Sequence, residues 1–392
     1  MKKSSFWTKP ISRKEFIKKG VLAAAGLGIS GYLLKEYLDS SQSLGLGDAP
    51  APKLWKWSKE AYHYEQLGLN VQCHVCPNQC MLEENARSIC RNKTNIKGKM
   101  YTLAYGNPCA VHLDPIEKKP LFHFLPGSKA FSIATAGCNF RCLNCQNWEI
   151  SQQYPENTSN EELFPDSVVQ NAKSTGSRSI AYTYSEPIAY YEYMYDTAKL
   201  ARQSGIKNLW ITNGHIREDA LKDLAQFIDA ANVNLKSFKE SIYGTLNSGR
   251  LQPVLDTLKT LKSMGVWFEV TNLVVPGWTD DLDMIKEMSQ WLYKNLGPDY
   301  PLHFSRFYPL YKLANLAQTP LSTLEKAKKI AVGEGLHFVY IGNTPEIDGE
   351  NTLCFKCGKL LVERKGFSVL QNNIKDSSCK FCGQGIAGVW QA

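Results

Sequence analysis

This sequence has little net charge outside its first 19 residues and no apolar run long enough for an ordinary membrane-spanning helix. Seven lysines and arginines against Glu15 give residues 1–19 a net charge of +6, so only +2 of the formal charge of +8 belongs to the rest of the chain. Nucleic-acid-binding proteins usually carry a basic patch or stripe. The near-neutral body of this chain therefore argues against nucleic-acid binding.

The basic and apolar N-terminus predicts a targeting segment. A basic start that includes Arg13 and Lys14 leads into a Gly- and Ala-rich apolar run over residues 20–34, an order typical of signals rather than of domains. It resembles a twin-arginine signal in which Lys14 replaces the second arginine. The run is shorter than the ~20 residues that a spanning helix needs. We expect residues 1–38 to be a signal or a membrane anchor, with the protein either facing the cytoplasm or exported, and residues 39–58 to be a linker.

The chain has 12 cysteines, and their placement is more informative than their number. Spacings of two and three residues bring several sulfurs within reach of one metal, whereas secreted disulfide scaffolds are usually shorter chains with wider spacing. The sequence therefore predicts metal ligation. Cys109 stands apart, and the others form three groups: Cys73, Cys76, Cys80 and Cys90; Cys138, Cys142 and Cys145; Cys354, Cys357, Cys379 and Cys382.

Residues 129–345 alternate short β-rich runs with stretches of helical character. Strands that alternate with helices indicate parallel βαβ units, and about seven units fit a complete or partial (β/α) barrel of the TIM type better than a short doubly wound sheet. The sequence predicts this α/β barrel, a Cys-rich N-terminal cap with many loop signals over residues 59–128, and a small module over residues 346–392. The predicted strands are 130–136, 179–183, 208–212, 233–235, 267–274, 302–307 and 337–341.

Polar residues follow the predicted strands where each strand ends. Active sites of parallel barrels lie at that carboxyl-terminal rim, so these side chains are candidates for an active site. His303 is either a catalytic residue or a hydrogen-bonded core residue, and Arg306 could clamp an anion. The candidates are Ser185, Glu186, Asn234, Lys236, Asn272, His303 and Arg306.

The middle cysteine group directly follows the first predicted strand of the barrel. Three thiolates can hold three irons of a cubane iron–sulfur cluster and leave the fourth iron without a protein ligand. A structural zinc site would need a fourth ligand to close its tetrahedron, and that ligand could come from elsewhere in the chain. The spacing Cys138-x3-Cys142-x2-Cys145 and its place after the strand favour the cluster with an open iron.

This Cys-x3-Cys-x2-Cys loop resembles that of the radical S-adenosylmethionine superfamily. The closer resemblance is to the branch of pyruvate formate-lyase activating enzymes, and specifically to the radical enzyme of the AmmeMemoRadiSam system. It extends from about residue 70 to the C-terminus. The motifs that carry it are residues 73–90, 114–124, 138–151, 183–187, 303–309 and 340–343.

The resemblance implies a [4Fe–4S] cluster whose open iron is chelated by the amine and carboxylate of S-adenosylmethionine. Reduction then yields methionine and a 5′-deoxyadenosyl radical, which abstracts hydrogen from a substrate. Such an oxidoreductase needs a low-potential electron donor. Its substrate is a protein or a small molecule, with glycyl-radical activation as one candidate, and Memo-type and AMMECR-type proteins are partners implied by the family name alone. The alternative is a non-enzymatic electron-transfer or scaffold protein, which would place four cysteines on the cluster.

The resemblance also gives roles to several rim residues. Residues 184–187 stand where activating enzymes have a Gly-Gly-Glu-Pro segment that contacts the methionine amine, so the carboxylate of Glu186, next to Ser185, is expected to pair with that ammonium group. Three further residues are at strand ends that line the ribose and carboxylate side of S-adenosylmethionine in relatives. These are Asn234, Lys236 and Asn272. Asn144 departs from the aromatic residue that usually precedes the third cysteine.

The two outer cysteine groups predict further metal sites. The last group consists of two Cys-x2-Cys-Gly knuckles, whose four thiolates can close a tetrahedral zinc site in a zinc-ribbon-like module. The first group is less regular. It could bind zinc or a second iron–sulfur cluster, with His74 or Cys109 as a substitute ligand.

Overall fold

The computed structural model describes residues 52–391. The predicted targeting segment and most of the predicted linker lie outside the described residues. Within residues 52–391, no helix combines the length and the apolar character that crossing a membrane requires.

The N-terminal segment forms two small antiparallel sheets. Its strands are β1 (Lys59–Glu60), β2 (Tyr64–Leu67), β3 (Asn70–Cys73), β4 (Met81–Leu82), β5 (Lys93–Ile96) and β6 (Lys99–Thr102). They pair in the orders β1-β6-β5 and β2-β3-β4. Lys97 and Gly98 connect β5 to β6 and have φ values of 53° and 77°, and positive φ at both positions is what a type I′ hairpin turn requires.

An eight-stranded sheet forms the centre of the chain. Its strands are β7 (Ala110–Pro115), β8 (Lys129–Ala134), β9 (Ser179–Tyr182), β10 (Lys207–Thr212), β11 (Ala230–Asn234), β12 (Trp267–Val274), β13 (Leu302–Arg306) and β14 (Val339–Gly342). Strands β8 to β14 are neighbours in chain order and pair in parallel, and β7 pairs antiparallel with β8. The predicted α/β fold is confirmed. The order is linear, so β7 and β14 are edges that do not pair with each other in residues 52–391.

Helices cover the sheet, since a parallel sheet is buried on both faces. They are α1 (Trp148–Ser151), α2 (Pro165–Ser174), α3 (Tyr191–Gln203), α4 (Glu218–Ala225), α5 (Glu240–Ile242), α6 (Leu251–Ser263), α7 (Leu282–Leu296) and α8 (Leu321–Gly333). Pro165 occupies the first position of α2, where its missing N–H leaves no bond unmade. The Asp281 carboxylate caps α7 by accepting the N–H groups of Asp283 at 3.0 Å and Met284 at 3.3 Å, which satisfies otherwise unpaired donors.

Polar side chains fix the N-terminal strands to α3. Lys93 on β5 forms an ion pair with Glu192 on α3, and their side chains are 1% and 0% exposed. Asp196, one turn further along α3, accepts hydrogen bonds from the hydroxyls of Tyr62 at 3.0 Å and Tyr105 at 2.7 Å. Because neither charge of the buried pair reaches water, each depends on the other for compensation. The N-terminal strands and α3 are therefore coupled energetically.

The C-terminal module consists of short strands around the last four cysteines. They are β15 (Thr352–Leu353), β16 (Leu360–Lys365), β17 (Ser368–Asn372), β18 (Ile374–Lys375) and β19 (Ser378–Cys379). Arg364 on β16 is buried and donates to the carbonyls of Phe122 at 2.7 Å and Glu350 at 3.0 Å. His123 Nδ1 lies 2.7 Å from the carbonyl of Ala387. These contacts seat the module on the segment between β7 and β8.

Candidate functional site

A cavity of about 990 Å³ opens at the carboxyl ends of the parallel strands. This is the rim that the sequence predicts for an active site. Eight predicted residues line it together: Cys138, Cys142, Cys145, Ser185, Glu186, Asn234, Lys236 and His303. Residues separated by more than 160 positions are brought to one wall because the parallel strands all end at the same edge.

The three middle cysteines lie on the loop that follows β8, and each sulfur has a hydrogen-bonding neighbour. The Cys138 sulfur accepts the N–H of Phe140 at 3.3 Å. The Cys145 sulfur lies 3.0 Å from the Ser151 hydroxyl. Burial is the main cause that raises the pKa of Cys138 and of Cys145 in the metal-free chain. A bound cation reverses that preference because it stabilises the thiolate directly.

A π-helical turn over Tyr243–Asn247 is hydrogen-bonded to the cysteine loop. The Asn247 side-chain amide donates to the Cys142 sulfur at 3.2 Å. The carbonyls of Asn247 and Leu246 accept the backbone N–H groups of Arg141 at 3.1 Å and Leu143 at 2.9 Å. Single π turns are frequent at functional sites. This turn fixes the backbone on both sides of Cys142.

The donor set fits a multi-iron centre better than a single metal ion. Within residues 52–391, the only group of three or more potential ligands whose atoms all lie within 4.8 Å of one another is at the C-terminal cysteines. At least one pair of the three middle sulfurs is thus more than 4.8 Å apart, whereas a Zn–S bond of about 2.3 Å places the ligands of one zinc ion about 3.8 Å apart. Three separated thiolates beside a cavity could hold three irons and leave a fourth iron open toward it.

Glu186 presents a buried carboxylate to the cavity and is only 3% exposed. It accepts the Thr212 hydroxyl and the N–H of Asn213, both at 2.7 Å, and the N–H of Ile188 at 3.2 Å. Burial raises the pKa of Glu186 to about 7, and these hydrogen bonds offset part of that effect. A carboxyl group in this state is ready to become charged when a cation enters the cavity.

Replacing Glu186 by glutamine is expected to remove a pH-dependent contribution to stability. The pKa of this carboxyl rises from 4.5 to about 7 on folding, so the folded state retains a proton that the unfolded chain releases. This stabilisation is fully present below pH ~4.5 and is lost as the pH rises through ~7, with an upper size of about 3 kcal/mol. Urea unfolding without S-adenosylmethionine should show that the wild type loses up to that much more than Glu186→Gln between pH 4.5 and 7.5. If the free energies of unfolding of the wild type and of Glu186→Gln changed equally with pH, burial would not raise the pKa of Glu186.

Three further predicted residues surround Glu186 and the cysteine loop. Lys236 is close enough for its charge to lower the pKa of both Glu186 and Cys145. The Ser185 hydroxyl donates to the Thr135 carbonyl at 2.7 Å and so holds the loop after β9 in place. The Asn234 amide is 3.4 Å from the Thr212 carbonyl. Lys236 therefore supplies positive charge to this wall, whereas Ser185 positions its backbone.

His303 lines the opposite part of the cavity and is held by a buried carboxylate. Its Nε2 lies 2.6 Å from Glu269, and its ring stacks on Tyr340 with centroids 5.0 Å apart. Burial alone would raise the pKa of Glu269, but the hydrogen bond and charge of His303 outweigh it and hold that pKa below its ordinary value. His303 is thus a hydrogen-bonded residue of the core that also lines the cavity, and its catalytic role stays a prediction.

Asn272 and Arg306 lie beside the cavity wall rather than on it. The Asn272 amide donates to the Leu235 carbonyl at 2.8 Å and thereby supports the turn that carries Lys236. Arg306 donates to the Thr319 carbonyl at 2.8 Å and pairs with Glu346 at 2.9 Å. Both side chains are therefore hydrogen-bonded to other residues of the protein and do not line the cavity.

Sequence reasoning misses the part of the wall that comes from the C-terminal module. Arg364, Lys365, Phe367 and Leu370 line the same cavity, and Phe367 and Leu370 are more than half exposed. No local pattern marks these residues, because they reach the cavity only through the packing of the module on the sheet. Phe367 and Leu370 add exposed apolar surface beside the opening.

The last four cysteines form a close tetrad on the C-terminal module. Their four sulfurs lie within 4.8 Å of one another, with Cys354 to Cys382 at 3.7 Å and Cys357 to Cys379 at 3.8 Å. These distances equal the sulfur separation of about 3.8 Å in a tetrahedral zinc–thiolate site. The knuckle glycines have φ near +70° and donate N–H bonds back to the carbonyl of the first cysteine in each knuckle.

Comparison with known proteins agrees with this site. Residues 132–291 match the model of the Radical SAM superfamily. An uncharacterized protein of Methanocaldococcus jannaschii is 45% identical over 331 residues, which are 84% of this chain and 98% of that protein. The pyruvate formate-lyase 1-activating enzyme of Escherichia coli strain K12 is 22% identical over 209 residues, 50% of this chain and 85% of that enzyme.

Solved structures are more distant. Streptococcus suis SuiB bound to S-adenosylmethionine aligns with a TM-score of 0.44 and 13% identity over 58% of this chain and 53% of that one, a likeness too small to support an argument. The matched family model begins in β8, covers the cysteine loop and ends in α7. Together with the relative matched over 98% of its length, it establishes that this chain belongs to the radical S-adenosylmethionine superfamily.

Proposed function

We propose that this chain is an enzyme that cleaves S-adenosylmethionine reductively and uses the product to abstract hydrogen from a substrate. The observation that carries the proposal is the wall formed by Cys138, Cys142 and Cys145, which line one cavity with Glu186. When bound there, a [4Fe–4S] cluster and S-adenosylmethionine would supply the single-electron step and the carbon radical. The remaining chemistry belongs to the side chains of this chain.

Hydrogen-bond donors around the sulfurs would stabilise the thiolates once a cluster is bound. Hydrogen bonds from Phe140 N–H to Cys138 and from the Asn247 amide to Cys142 stabilise negative charge on sulfur, because charge-assisted hydrogen bonds are stronger than neutral ones. Lys236 adds a positive charge near Cys145. This chain therefore contributes both the ligands and part of the electrostatic field of the centre.

Glu186 is proposed to bind the ammonium group of S-adenosylmethionine. Its carboxylate is oriented by Thr212 and Asn213 before any ligand arrives. An entering ammonium group favours the charged form, so the pKa of Glu186 falls and its proton leaves. Buried charge pairing of this kind is strong because little water competes for the carboxylate.

The electron-carrier alternative receives less support from the geometry. It would place a fourth cysteine on the middle group, and the one ungrouped cysteine, Cys109, does not line the cavity that Cys138, Cys142 and Cys145 share. Burial raises the pKa of Cys109 to about 11. The geometry thus favours a centre with three cysteine ligands and one open iron.

Glycyl-radical activation is the finer form of the proposal. It is supported by the 22% identity to the pyruvate formate-lyase 1-activating enzyme. A protein substrate also suits the exposed Phe367 and Leu370 beside the cavity, since exposed apolar patches are typical of surfaces that contact other proteins. His303, whose ring orientation is fixed by Glu269, would then face the substrate end.

Product analysis tests the proposed reaction. The full chain is reconstituted anaerobically with iron and sulfide, reduced with dithionite and incubated with S-adenosylmethionine. We expect 5′-deoxyadenosine and methionine in equal amounts, both dependent on the reductant. A fully loaded and reducible protein that yields neither product, with or without candidate protein substrates, would contradict the proposal.

The four C-terminal cysteines are proposed to bind one structural zinc ion. Replacing Cys379 by serine should lower zinc from one ion per chain to none and make residues 346–392 sensitive to protease, because structural zinc stabilises small modules that lack a large core. Zinc content by metal analysis and limited proteolysis measure both effects. Cys109→Ser is the control and should keep the zinc. Full zinc occupancy in Cys379→Ser would contradict the assignment.

A further inference from the structure

The proposed reaction does not use the N-terminal cysteines, which the structure gathers into one place. The N–H of Cys73 donates to the carbonyl of Cys80 at 3.0 Å. The Cys80 sulfur accepts the N–H of Ile89, the residue before Cys90, at 3.5 Å. The Ser88 hydroxyl lies 3.1 Å from the Cys90 sulfur, and the carbonyl of Cys76 accepts the N–H of Gln79, the residue before Cys80, at 3.1 Å. The backbone therefore brings the four cysteines together.

The spacing of these sulfurs differs from that of the C-terminal tetrad. Only the C-terminal four have all their sulfurs within 4.8 Å of one another in the described chain. One zinc ion draws four sulfurs to about 3.8 Å from each other. An iron–sulfur cluster binds each thiolate to a different iron and so keeps the sulfurs farther apart. In any three of the N-terminal sulfurs at least one pair is therefore more than 4.8 Å apart, which is wider than ligation of one zinc ion allows.

The two substitute ligands that the sequence suggests are engaged elsewhere. His74 Nε2 lies 3.5 Å from the Glu65 carboxylate, and Cys109 is fixed beside the end of β8, where its N–H donates to the Ala134 carbonyl at 2.8 Å. The four N-terminal cysteines thus form the complete ligand set. A set of four thiolates closes every iron of a cubane cluster, unlike the three-thiolate set beside the cavity.

The N-terminal and middle cysteine loops are in direct contact. Gly137, directly before Cys138, has a φ of 96° and packs against Cys90 so closely that a Cβ would lie 2.4 Å from its carbonyl oxygen. The Asn78 amide donates to the Asn139 carbonyl at 2.9 Å. No intervening element therefore separates the two groups of thiols.

Arg91 places a buried positive charge between the two groups. It is 2% exposed, and its Nη1 meets no hydrogen-bond acceptor in residues 52–391. Its Nη2 donates to the Gln152 side chain at 3.0 Å, and the Gln152 amide in turn donates to the carbonyl of Phe140 on the middle cysteine loop at 3.2 Å. A buried guanidinium with an unmet donor is unfavourable unless an anion lies nearby. Two thiolate-bound clusters would supply that negative charge.

We propose that Cys73, Cys76, Cys80 and Cys90 hold a second iron–sulfur cluster that passes single electrons to the centre on Cys138, Cys142 and Cys145. Each transfer oxidises the second cluster by one electron and reduces the first by one, with no bond or proton moved. A low-potential one-electron donor protein then reduces the second cluster again. Cys80 is the only one of the four that is not fully buried, so electrons enter on its side.

The relay rests on the proposed function, whereas the second cluster itself does not. Iron, sulfide and zinc are therefore counted first in the full chain carrying Cys138→Ala, Cys142→Ala and Cys145→Ala together. We expect about four irons with matching sulfide and a paramagnetic signal after reduction, and loss of that iron when Cys76→Ala is added. Zinc at two ions per chain without iron would overturn the proposal. If the triple variant does not fold, the metal content of the wild type decides. About eight irons per chain support the proposal, and about four irons with two zinc ions per chain overturn it.

The relay is tested by the rate at which the first centre is reduced. Reduced flavodoxin and dithionite are compared as donors to the first centre. In Cys76→Ala, reduction of that centre by flavodoxin should slow at least about tenfold relative to its reduction by dithionite. An unchanged ratio of the two rates would overturn the relay. Loss of S-adenosylmethionine cleavage in the wild type would instead count against the proposed function, because the iron content of the triple variant does not depend on that reaction.

Discussion

Alanine in place of Cys142 abolishes S-adenosylmethionine cleavage and removes about four irons per chain, because two thiolates cannot anchor a cubane cluster that needs three. Cys142 is buried, and its sulfur accepts the Asn247 amide at 3.2 Å, so no water-exposed neighbour replaces it. Cleavage should fall to the background measured without protein. Iron analysis and chromatography of the products on one sample measure both effects.

Cys109→Ala is the matched control for this prediction. Cys109 lies outside all three cysteine groups and is not among the residues that line the cavity. The control should keep its iron, its zinc and its cleavage activity, and Cys142→Ala should keep its zinc. An unchanged iron content in Cys142→Ala would contradict the assignment of the middle group to a cluster.

Methionine in place of Lys93 should destabilise the protein by about 3–5 kcal/mol, because it leaves the Glu192 carboxylate buried and without its counter-charge. The two side chains are 1% and 0% exposed, and Glu192 also accepts the N–H of Tyr62 at 2.9 Å. Water cannot reach the Glu192 carboxylate to replace the lost ion pair. The urea midpoint and the slope of the transition measure this loss.

Two variants separate this effect from a general response to substitution. Lys99→Met removes an exposed pair with Glu60, in which the side chains are 55% and 47% exposed, and should change stability by no more than about 0.5 kcal/mol. Adding Glu192→Gln to Lys93→Met removes the unpaired charge and should restore most of the loss. Equal stability of Lys93→Met and Lys99→Met would show that the buried pair does not couple α3 to the N-terminal strands.

The central sheet could be predicted from the sequence because its strands are buried on both faces. Strand β12 spans Trp267–Val274, as predicted, and most other predicted strands differ by one to three residues at either end. The N-terminal strands were not predicted, since runs of two to four residues are too short to show a periodic pattern.

The candidate site could be predicted only where it follows strand ends. The cysteine loop and Glu186 come directly after β8 and β9, which places them at the rim by topology alone. Arg364 and Phe367 line the cavity because the C-terminal module packs on the rest of the protein. No local sequence pattern predicts that packing. Arg306 follows the strand-end rule but pairs with Glu346 beside the cavity.

The cysteine groups show a further limit of sequence spacing. The same Cys-x2-Cys spacing occurs in the N-terminal group, at Cys73 and Cys76, and in the C-terminal group, at Cys354 and Cys357. Only the C-terminal group brings its four sulfurs within 4.8 Å in the described chain. The backbone between the ligands sets the distance between sulfurs, and residue spacing alone leaves it open.

The open iron is the central claim, and its direct test is the magnetic coupling between the reduced centre and isotope-labelled S-adenosylmethionine. The full chain is loaded anaerobically, reduced and frozen with S-adenosylmethionine that carries ¹⁵N in its amine. The account predicts a ¹⁵N hyperfine coupling from direct chelation, weakened or lost in Glu186→Gln. A reduced cluster on Cys138, Cys142 and Cys145 that shows no coupling to the amine, at saturating S-adenosylmethionine, would contradict it.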